Sequence, residues 1–230
     1  MIRPEISVII PTLNEEDNLG ATLQSCLTDN PHEVIVVDGG SQDRTRDIAR
    51  GFPISLYESS PGRARQMNAG AAAARGTHLL FLHADTLLPA AWENEIRRVL
   101  EIPGTVAGAF RLQINGDRRA LRLVESIANL RSSLLGLPYG DQGLFLTQDL
   151  FMDLGGFPDL PIMEDLELVR QLSKRGSIRL SSSSIVTSGR RWQRLGVFKT
   201  TLINQLLIWA YLVGISPTRL AAIYRKNRAA

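Results

Sequence analysis

The chain has 230 residues, 44% of them hydrophobic, which is enough for a substantial core in one large domain or two small ones. The composition is that of an ordinary soluble globular protein, and the single cysteine, Cys26, excludes an internal disulfide. The net charge of +3 conceals a division, because residues 168–230 contain 12 Lys and Arg and no Asp or Glu, whereas residues 1–167 carry a charge of −9.

This charge asymmetry predicts that the last part of the chain faces an anionic partner, such as a lipid headgroup layer or a phosphorylated acceptor. Nucleic acid would also match the charge, but we expect no nucleic-acid partner. A solvated basic face is the simpler alternative. The residues before Ile6 lack the basic segment, apolar segment and cleavage site of a signal peptide, so we expect a cytoplasmic location.

The first hundred residues predict four strand-then-helix units. Asn14 to Asp17 are expected to supply the cap and first-turn acids of the first helix, and Ser41 or Asp43 caps the second. The apolar runs are continuous rather than alternating, which favours parallel strands covered on both faces and a doubly wound, Rossmann-like half. The predicted strands are residues 6–10, 34–37, 54–57 and 77–83, and the predicted helices end near residues 27, 50, 75 and 100.

After residue 103 the pattern becomes mixed. We predict strands at residues 106–114 and 143–147, a helix at 118–135, and a second helix that starts at Glu164-Asp165 and ends near 175. An amphipathic helix follows at 198–215. Its longest apolar run would rise only about 15 Å, half the thickness of a bilayer core, so it would lie at a membrane surface, form a dimer contact or pack in the core. Trp209, Tyr211 and the basic residues Arg219, Arg225, Lys226 and Arg228 suit the surface alternative.

Polar residues follow three of the predicted parallel strands: Pro11 to Asn14 after the first, Asp38 after the second and Asp85 after the fourth. These strand ends should meet at one edge of the sheet. Neither a Gly-x-Gly-x-x-Gly fingerprint nor a P-loop is present, so a nucleotide phosphate would need another partner. Mn²⁺ or Mg²⁺ on Asp85 would supply one, although Asp85 alone could equally be a helix cap.

Five motifs follow one another along the chain: Pro11-Thr12-Leu13-Asn14-Glu15, Val36 to Ser41, Arg63 to Gly70, His83-Ala84-Asp85 and Glu164-Asp165. In order and spacing they resemble the family 2 glycosyltransferases of the GT-A fold. The similarity covers about residues 5 to 180, and the Gly140 to Gly143 sequence Gly-Asp-Gln-Gly resembles a short bacterial branch.

The resemblance implies a role for each motif. Asp165 would be the catalytic base, supported by Glu164, while Asp141 and Gln142 would contact the acceptor. Asp85 would hold the metal, and His83 stands where the family usually has a second acid. The segment from Arg190 to Trp192 resembles one that closes over the diphosphate. The residues implied to contact the nucleotide sugar are Pro11, Thr12, Asn14, Glu15, Asp38, Gly39, Arg63, Arg65, His83, Ala84 and Asp85.

The predicted organisation is therefore a nucleotide-sugar-binding half at residues 1–103, an acceptor-binding half of the same GT-A domain at 104–190, and C-terminal helices at 191–230. The implied activity is metal-dependent transfer, with inversion, of a sugar from a UDP or GDP sugar to an acceptor of lipid or polyprenyl type. Peripheral contact with the inner membrane face and a homodimer are further expectations. The alternatives are a nucleotidyltransferase or a non-catalytic protein that binds nucleotide sugars.

Overall fold

The computed structural model describes residues 5–229, without the side chains of residues 191, 194, 195 and 225–229. The strands are β1 (Ile6–Thr12), β2 (Glu33–Asp38), β3 (Ser55–Glu58), β4 (His78–Phe81), β5 (Thr86–Leu87), β6 (Thr105–Ile114), β7 (Leu144–Thr147) and β8 (Ser177–Thr187). The helices are α1 (Leu19–Cys26), α2 (Thr45–Arg50), α3 (Arg63–Ala73), α4 (Trp92–Leu100), α5 (Arg119–Leu135), α6 (Gln148–Asp153), α7 (Glu164–Leu172), α8 (Arg190–Leu195), α9 (Val197–Leu212) and α10 (Pro217–Ala229).

The strands form one sheet in the order β3-β2-β1-β4-β7-β6-β8-β5. β1 pairs in parallel with both β2 and β4, and β2 pairs in parallel with β3. Alternate residues of β1 enter two different core clusters, Val8 on one face and Ile9 on the other. Both faces of this half are therefore covered, which is why its strands are continuous apolar runs.

The other half of the sheet is mixed. β7 runs antiparallel to β4 and β6, whereas β6 and β8 are parallel. The expected α/β fold with a mixed central sheet is confirmed. Strand β8 was not predicted, because its serines obscure the apolar pattern. Two of them, Ser181 and Ser182, donate to a carboxylate oxygen of Glu95 on α4 at 2.6 and 3.0 Å.

The expected cap of the first helix is wrong, because α1 begins only at Leu19 and has no acid in its first turn. At the second helix the prediction holds in part: Asp43 Oδ1 accepts from the N–H of Thr45, the first residue of α2, at 3.0 Å, although the N-cap position itself is Arg44. The predicted cap residues also join two loops: the backbone N–H of Asn14 donates to Ser41 Oγ at 2.9 Å, and that of Glu16 donates to Asp43 Oδ2 at 3.1 Å. This cross-linking holds the loops after β1 and β2 together at the edge of the sheet.

Two glycines allow close packing around the sheet. A Cβ at Gly70 of α3 would lie 2.5 Å from the Ile9 side chain, so the small residues of α3 let the helix lie close on β1, as expected. A Cβ at Gly108 of β6 would lie 2.3 Å from the ring of Phe145. Both approaches are closer than a methyl group permits.

Helices α9 and α10 follow the sheet. Phe198, Leu202 and Trp209 of α9 are 80%, 59% and 65% exposed, so the apolar pattern of this helix does not mark a core element. Among the helices that the structure describes, none has the length and hydropathy needed to cross a bilayer. The side chains of Arg225, Lys226 and Arg228, expected near a membrane surface, lie outside the described residues.

Candidate active site

The ends of β1 and β2 meet as predicted. Thr12 and Asp38 are register partners, and the Gly39 N–H donates to the Thr12 carbonyl at 2.9 Å. The Asp38 side chain is buried, and its Oδ1 accepts from the Gly40 and Ser41 N–H groups at 3.1 and 2.9 Å. Its Oδ2 accepts from the hydroxyls of Ser41 and Thr12. The carboxylate thus shapes the loop, and its contact with a base or ribose stays a prediction.

Gln66 of α3 is a site residue that sequence analysis missed. Its side-chain amide donates to the carbonyls of Thr12 and Val37 at 2.7 and 2.8 Å, and these two hydrogen bonds join the ends of β1 and β2. The buried amide also packs against Gly39, so it helps to fix the position of the loop after β2. A Gln inside a small-residue helix was the only sequence signal.

Asp85 and Glu15 come together at the same edge, and Arg190 lies between them. One terminal nitrogen of Arg190 donates to Glu15 Oε2 at 2.8 Å and to Asp85 Oδ2 at 3.1 Å. All three side chains are partly exposed. The edge therefore carries two acids whose negative charge is partly offset by Arg190.

This pair fits Mn²⁺ or Mg²⁺, because both ions prefer carboxylate oxygens completed by phosphates of the substrate. Within the described residues, no group of three or more His, Cys, Asp or Glu side chains is placed to hold a metal. Asp85, with Glu15 beside it, would therefore need the donor's phosphates as further ligands.

A cleft beside β4 brings together residues from both halves of the chain. Arg63, His83, Tyr139, Gly140 and Asp165 line it together with apolar side chains. Burial lowers the pKa of His83 to about 3, and the positive charge of Arg63 adds to the effect. The imidazole is therefore neutral at physiological pH, and its part in binding nucleotide sugar stays a prediction.

Asp165 is oriented at the start of α7. Its Oδ2 accepts from the Gly140 N–H at 2.7 Å, and its Oδ1 accepts from the Leu166 N–H at 2.8 Å. Met163, just before the helix, has a φ of 71°, a conformation that costs a non-glycine residue energy. The two hydrogen bonds to backbone N–H groups fix the direction in which the Asp165 carboxylate points.

Glu164 has a different environment from its neighbour. Its side chain is buried, and one oxygen lies 3.6 Å from a terminal nitrogen of Arg63. Burial raises the pKa of Glu164, the charge of Asp165 raises it further, and Arg63 opposes both effects. The two adjacent acids are thus distinguished by their surroundings.

The two polar residues of the Gly-Asp-Gln-Gly segment have different surroundings. Gln142 is fully buried, where its Oε1 accepts from Ser132 Oγ at 2.7 Å and its amide donates to the Phe110 carbonyl at 3.2 Å. Asp141 lines a second cavity, between α5 and α9. Contact with an acceptor stays a prediction for both, and of the two only Asp141 lines this cavity.

Three further residues expected to contact the nucleotide sugar do not line the cleft beside β4. Arg65 makes a two-point ion pair with the exposed Asp159, at 2.9 and 3.0 Å. Ala84 is buried, and its carbonyl accepts from Thr22 Oγ1 at 2.8 Å. Pro11 lies within β1 next to Thr12. The structure thus brings Arg63, His83 and Asp165 into one cleft but turns Arg65 towards Asp159.

The fold and the edge residues define a class, the GT-A-type α/β protein. A solved structure titled as the mannosyltransferase PcManGT from Pyrobaculum calidifontis, in complex with GDP-Man and Mn²⁺, superposes with a TM-score of 0.66 over 96% of this chain and 69% of that chain. Its identity of 22% supports the shared fold alone. The chain belongs to glycosyl transferase family 2, whose sequence model matches residues 7–157.

Two curated relatives are similar in sequence. Glycosyltransferase AglE of Haloferax volcanii is 31% identical over 174 residues, covering 68% of this chain and 57% of the relative. A dolichyl-phosphate beta-glucosyltransferase of Drosophila melanogaster is 38% identical over 101 residues, covering 35% of this chain and 31% of the relative. The matched regions therefore span little more than half of the first relative and a third of the second.

Proposed function

We propose that the chain is a glycosyltransferase that moves a sugar from a nucleoside diphosphate sugar of UDP or GDP type to an acceptor hydroxyl. The observation that carries this proposal is the fixed carboxylate of Asp165, which is held by the Gly140 N–H at 2.7 Å in the same cleft as Arg63 and His83. Family membership supports the same activity and gives no support to a nucleotidyltransferase.

Asp165 acts as the general base. As the acceptor oxygen bonds to the anomeric carbon, the bond from that carbon to the diphosphate oxygen breaks, and Asp165 takes the hydroxyl proton. A single attack from the face opposite the leaving group inverts the anomeric centre. Glu164 is less suited to this step, because it is buried against Arg63. It supports the base or the acceptor instead.

The donor lies along the edge formed by β1, β2 and β4. Asn14, Gly39 and the loop shaped by Asp38 border its nucleoside, and Arg63 neutralises charge near the diphosphate. Asp85, with Glu15, would hold Mn²⁺ or Mg²⁺, which when bound neutralises charge that builds on the departing diphosphate. Arg190 already contacts both acids, so it is placed to contribute positive charge when the donor occupies the edge.

The acceptor is of lipid type. The last part of the chain is basic, and helix α9 exposes large apolar side chains, a combination that suits the surface of an anionic membrane. The similarity to a protein named for dolichyl phosphate points in the same direction. The protein would then work as a peripheral protein at the inner membrane face.

Thermal unfolding with UDP, GDP or dTDP, each with and without Mn²⁺, tests donor binding. We expect one nucleotide to raise the melting temperature more with Mn²⁺ than without it, because the ion would be held by both the Asp85 carboxylate and the diphosphate. A lack of stabilisation by all three would contradict the proposal.

Turnover of the donor sugar tests the base. Asp165→Asn should reduce kcat by about 100-fold or more, since general-base catalysis contributes 10² to 10⁴. Asp159→Asn is the matched control, because that residue pairs with Arg65 at the surface, and it should retain activity. Unchanged turnover in Asp165→Asn would remove Asp165 from the base role.

A further inference from the structure

A groove separates helices α5 and α9, on the side of Tyr139 away from the Asp165 cleft. Tyr139 lines both the cleft and the groove, so the two spaces adjoin. Its lining includes Ile127 and Arg131 of α5, Asp141, and Thr201, Asn204 and Gln205 of α9. Apolar and polar groups are thus mixed along it.

Two polar atoms in the groove wall lack partners. Trp192 is 9% exposed, and its indole Nε1 has no hydrogen-bond partner among the residues that the structure describes. The same holds for the buried hydroxyl of Thr201. Buried polar atoms are seldom left unpaired, because each one carries a desolvation penalty. Both atoms are covered, however, so the groups that can meet a ligand directly are the other polar side chains of the groove.

The other polar groups favour an uncharged ligand head. Arg131 and Asp141 carry opposite charges, and Arg131 is already engaged, with its guanidinium carbon 3.5 Å from the centre of the Tyr139 ring. Asn204 and Gln205 each both donate and accept hydrogen bonds. Such a set matches hydroxyl groups, which also donate and accept, better than it matches a phosphate.

Each of the two helices carries an exposed apolar stripe. On α5, the residues Leu123, Ile127, Leu130 and Leu134 recur every three or four positions and are 55–71% exposed. On α9 and just after it, the residues Phe198, Leu202, Leu206, Trp209 and Val213 have the same spacing and are 57–80% exposed. This spacing places each set along one side of its helix. Ile127 also lines the groove, and Leu202 and Leu206 directly follow the lining residues Thr201 and Gln205.

We propose that the groove between α5 and α9 is the acceptor subsite and binds an amphipathic molecule, with its hydroxyl-bearing head against Asp141 and Asn204 and its hydrocarbon chain along the apolar stripes. This proposal rests on the glycosyltransferase function proposed above, because the head must reach Asp165 past Tyr139. On this proposal, the exposed apolar stripes of α5 and α9 contact the same ligand.

Binding of n-octyl β-D-glucoside below its micelle concentration tests this subsite, with D-glucose as the probe without a chain. Equilibrium dialysis against the full chain, with neither donor nor metal, should show the octyl glucoside bound about 100-fold more tightly than glucose. That ratio is the contribution of three or four buried CH₂ groups. Equal affinities for the two probes would overturn the proposal.

Variants locate the binding. Ile127→Asp and Leu202→Asp, both at exposed positions, should weaken octyl glucoside binding about tenfold, and Asn204→Leu should weaken it by removing a partner of the head. Met152→Asp, at a 46% exposed position on α6, is the matched control and should bind as the unaltered chain does. Unchanged binding in all three groove variants would refute the location.

Sedimentation of the same variants distinguishes a second copy of the chain from a lipid. If the chain is a dimer that Ile127→Asp and Leu202→Asp convert to a monomer, the stripes are a subunit interface and the proposal is wrong. A sedimentation coefficient unchanged by these variants, together with the loss of octyl glucoside binding, supports it. The octyl glucoside experiment contains no donor. A negative result would therefore contradict the acceptor subsite without affecting the tests of donor binding and of Asp165 as the base.

Discussion

Asp141 is the residue whose replacement should change stability most clearly with pH. Burial raises the pKa of its carboxyl from 3.8 to about 6, the charge of Asp165 adds to this rise, and Arg131 opposes it. The folded protein thus holds this proton more tightly than the unfolded chain does. Stability is therefore lost as the pH rises from about 4 to about 6, and the loss is complete above pH 6.

The size of the effect follows from the two pKa values. A rise from 3.8 to about 6 corresponds to about 3 kcal/mol at pH 7.5, since one pKa unit is 1.36 kcal/mol. Asp141→Asn removes the ionisation while keeping the shape. The variant should therefore be up to about 3 kcal/mol more stable than the unaltered chain at pH 7.5, and about half as much at pH 5, where the folded carboxyl is mostly protonated.

Urea unfolding at pH 7.5 and pH 5.0 measures both differences. Asp153→Asn is the control, because Asp153 is 59% exposed and pairs with Arg175 at the surface, where such pairs contribute less than about 1 kcal/mol. If Asp141→Asn lowers the free energy of unfolding at pH 7.5, or raises it equally at both pH values, the carboxyl does not titrate as its burial requires.

Two further predictions concern glycines. Gly108→Ala should lower the free energy of unfolding by about 2 kcal/mol or more in urea, because the new Cβ would lie 2.3 Å from the Phe145 ring. Gly20→Ala is the control, because its Cβ would meet only the Ile48 side chain, at 3.7 Å; an equal loss of stability in both variants would contradict the packing argument. Gly140→Ala should reduce kcat about tenfold with little change in melting temperature, since its Cβ would lie 3.0 Å from Asp165 Oδ2 and displace that carboxylate. Full activity would show that the exact position of Asp165 is unimportant.

The parallel half of the fold could be predicted because each of its strands is recognisable from its own short run of residues. The runs at 6–10 and 34–37 are apolar at every position except Ser7, and strands covered on both faces bury such runs completely. Once these strands are parallel, their carboxyl ends must share one edge. The meeting of Thr12 with Asp38 therefore followed from the pattern of single segments.

The mixed half could not be predicted to the same extent, because its order depends on partners distant in the chain. β8 contains four consecutive serines and shows no apolar pattern, yet it pairs along β6 over most of its length. Its polar residues are tolerated because Ser181 and Ser182 find Glu95 on α4. A single segment gives no sign of a hydrogen-bond partner about 86 residues away.

The sequence by itself determined the fold class, the edge at which acids collect and the family resemblance that singled out Asp85 and Asp165. Only the tertiary structure decided that Arg190 joins Glu15 to Asp85 across 175 and 105 residues of sequence. It also decided that Gln142 points into the core while Asp141 faces a groove. Periodicity reports whether a side chain is buried, but the direction and the partner of a polar group depend on how distant elements pack together.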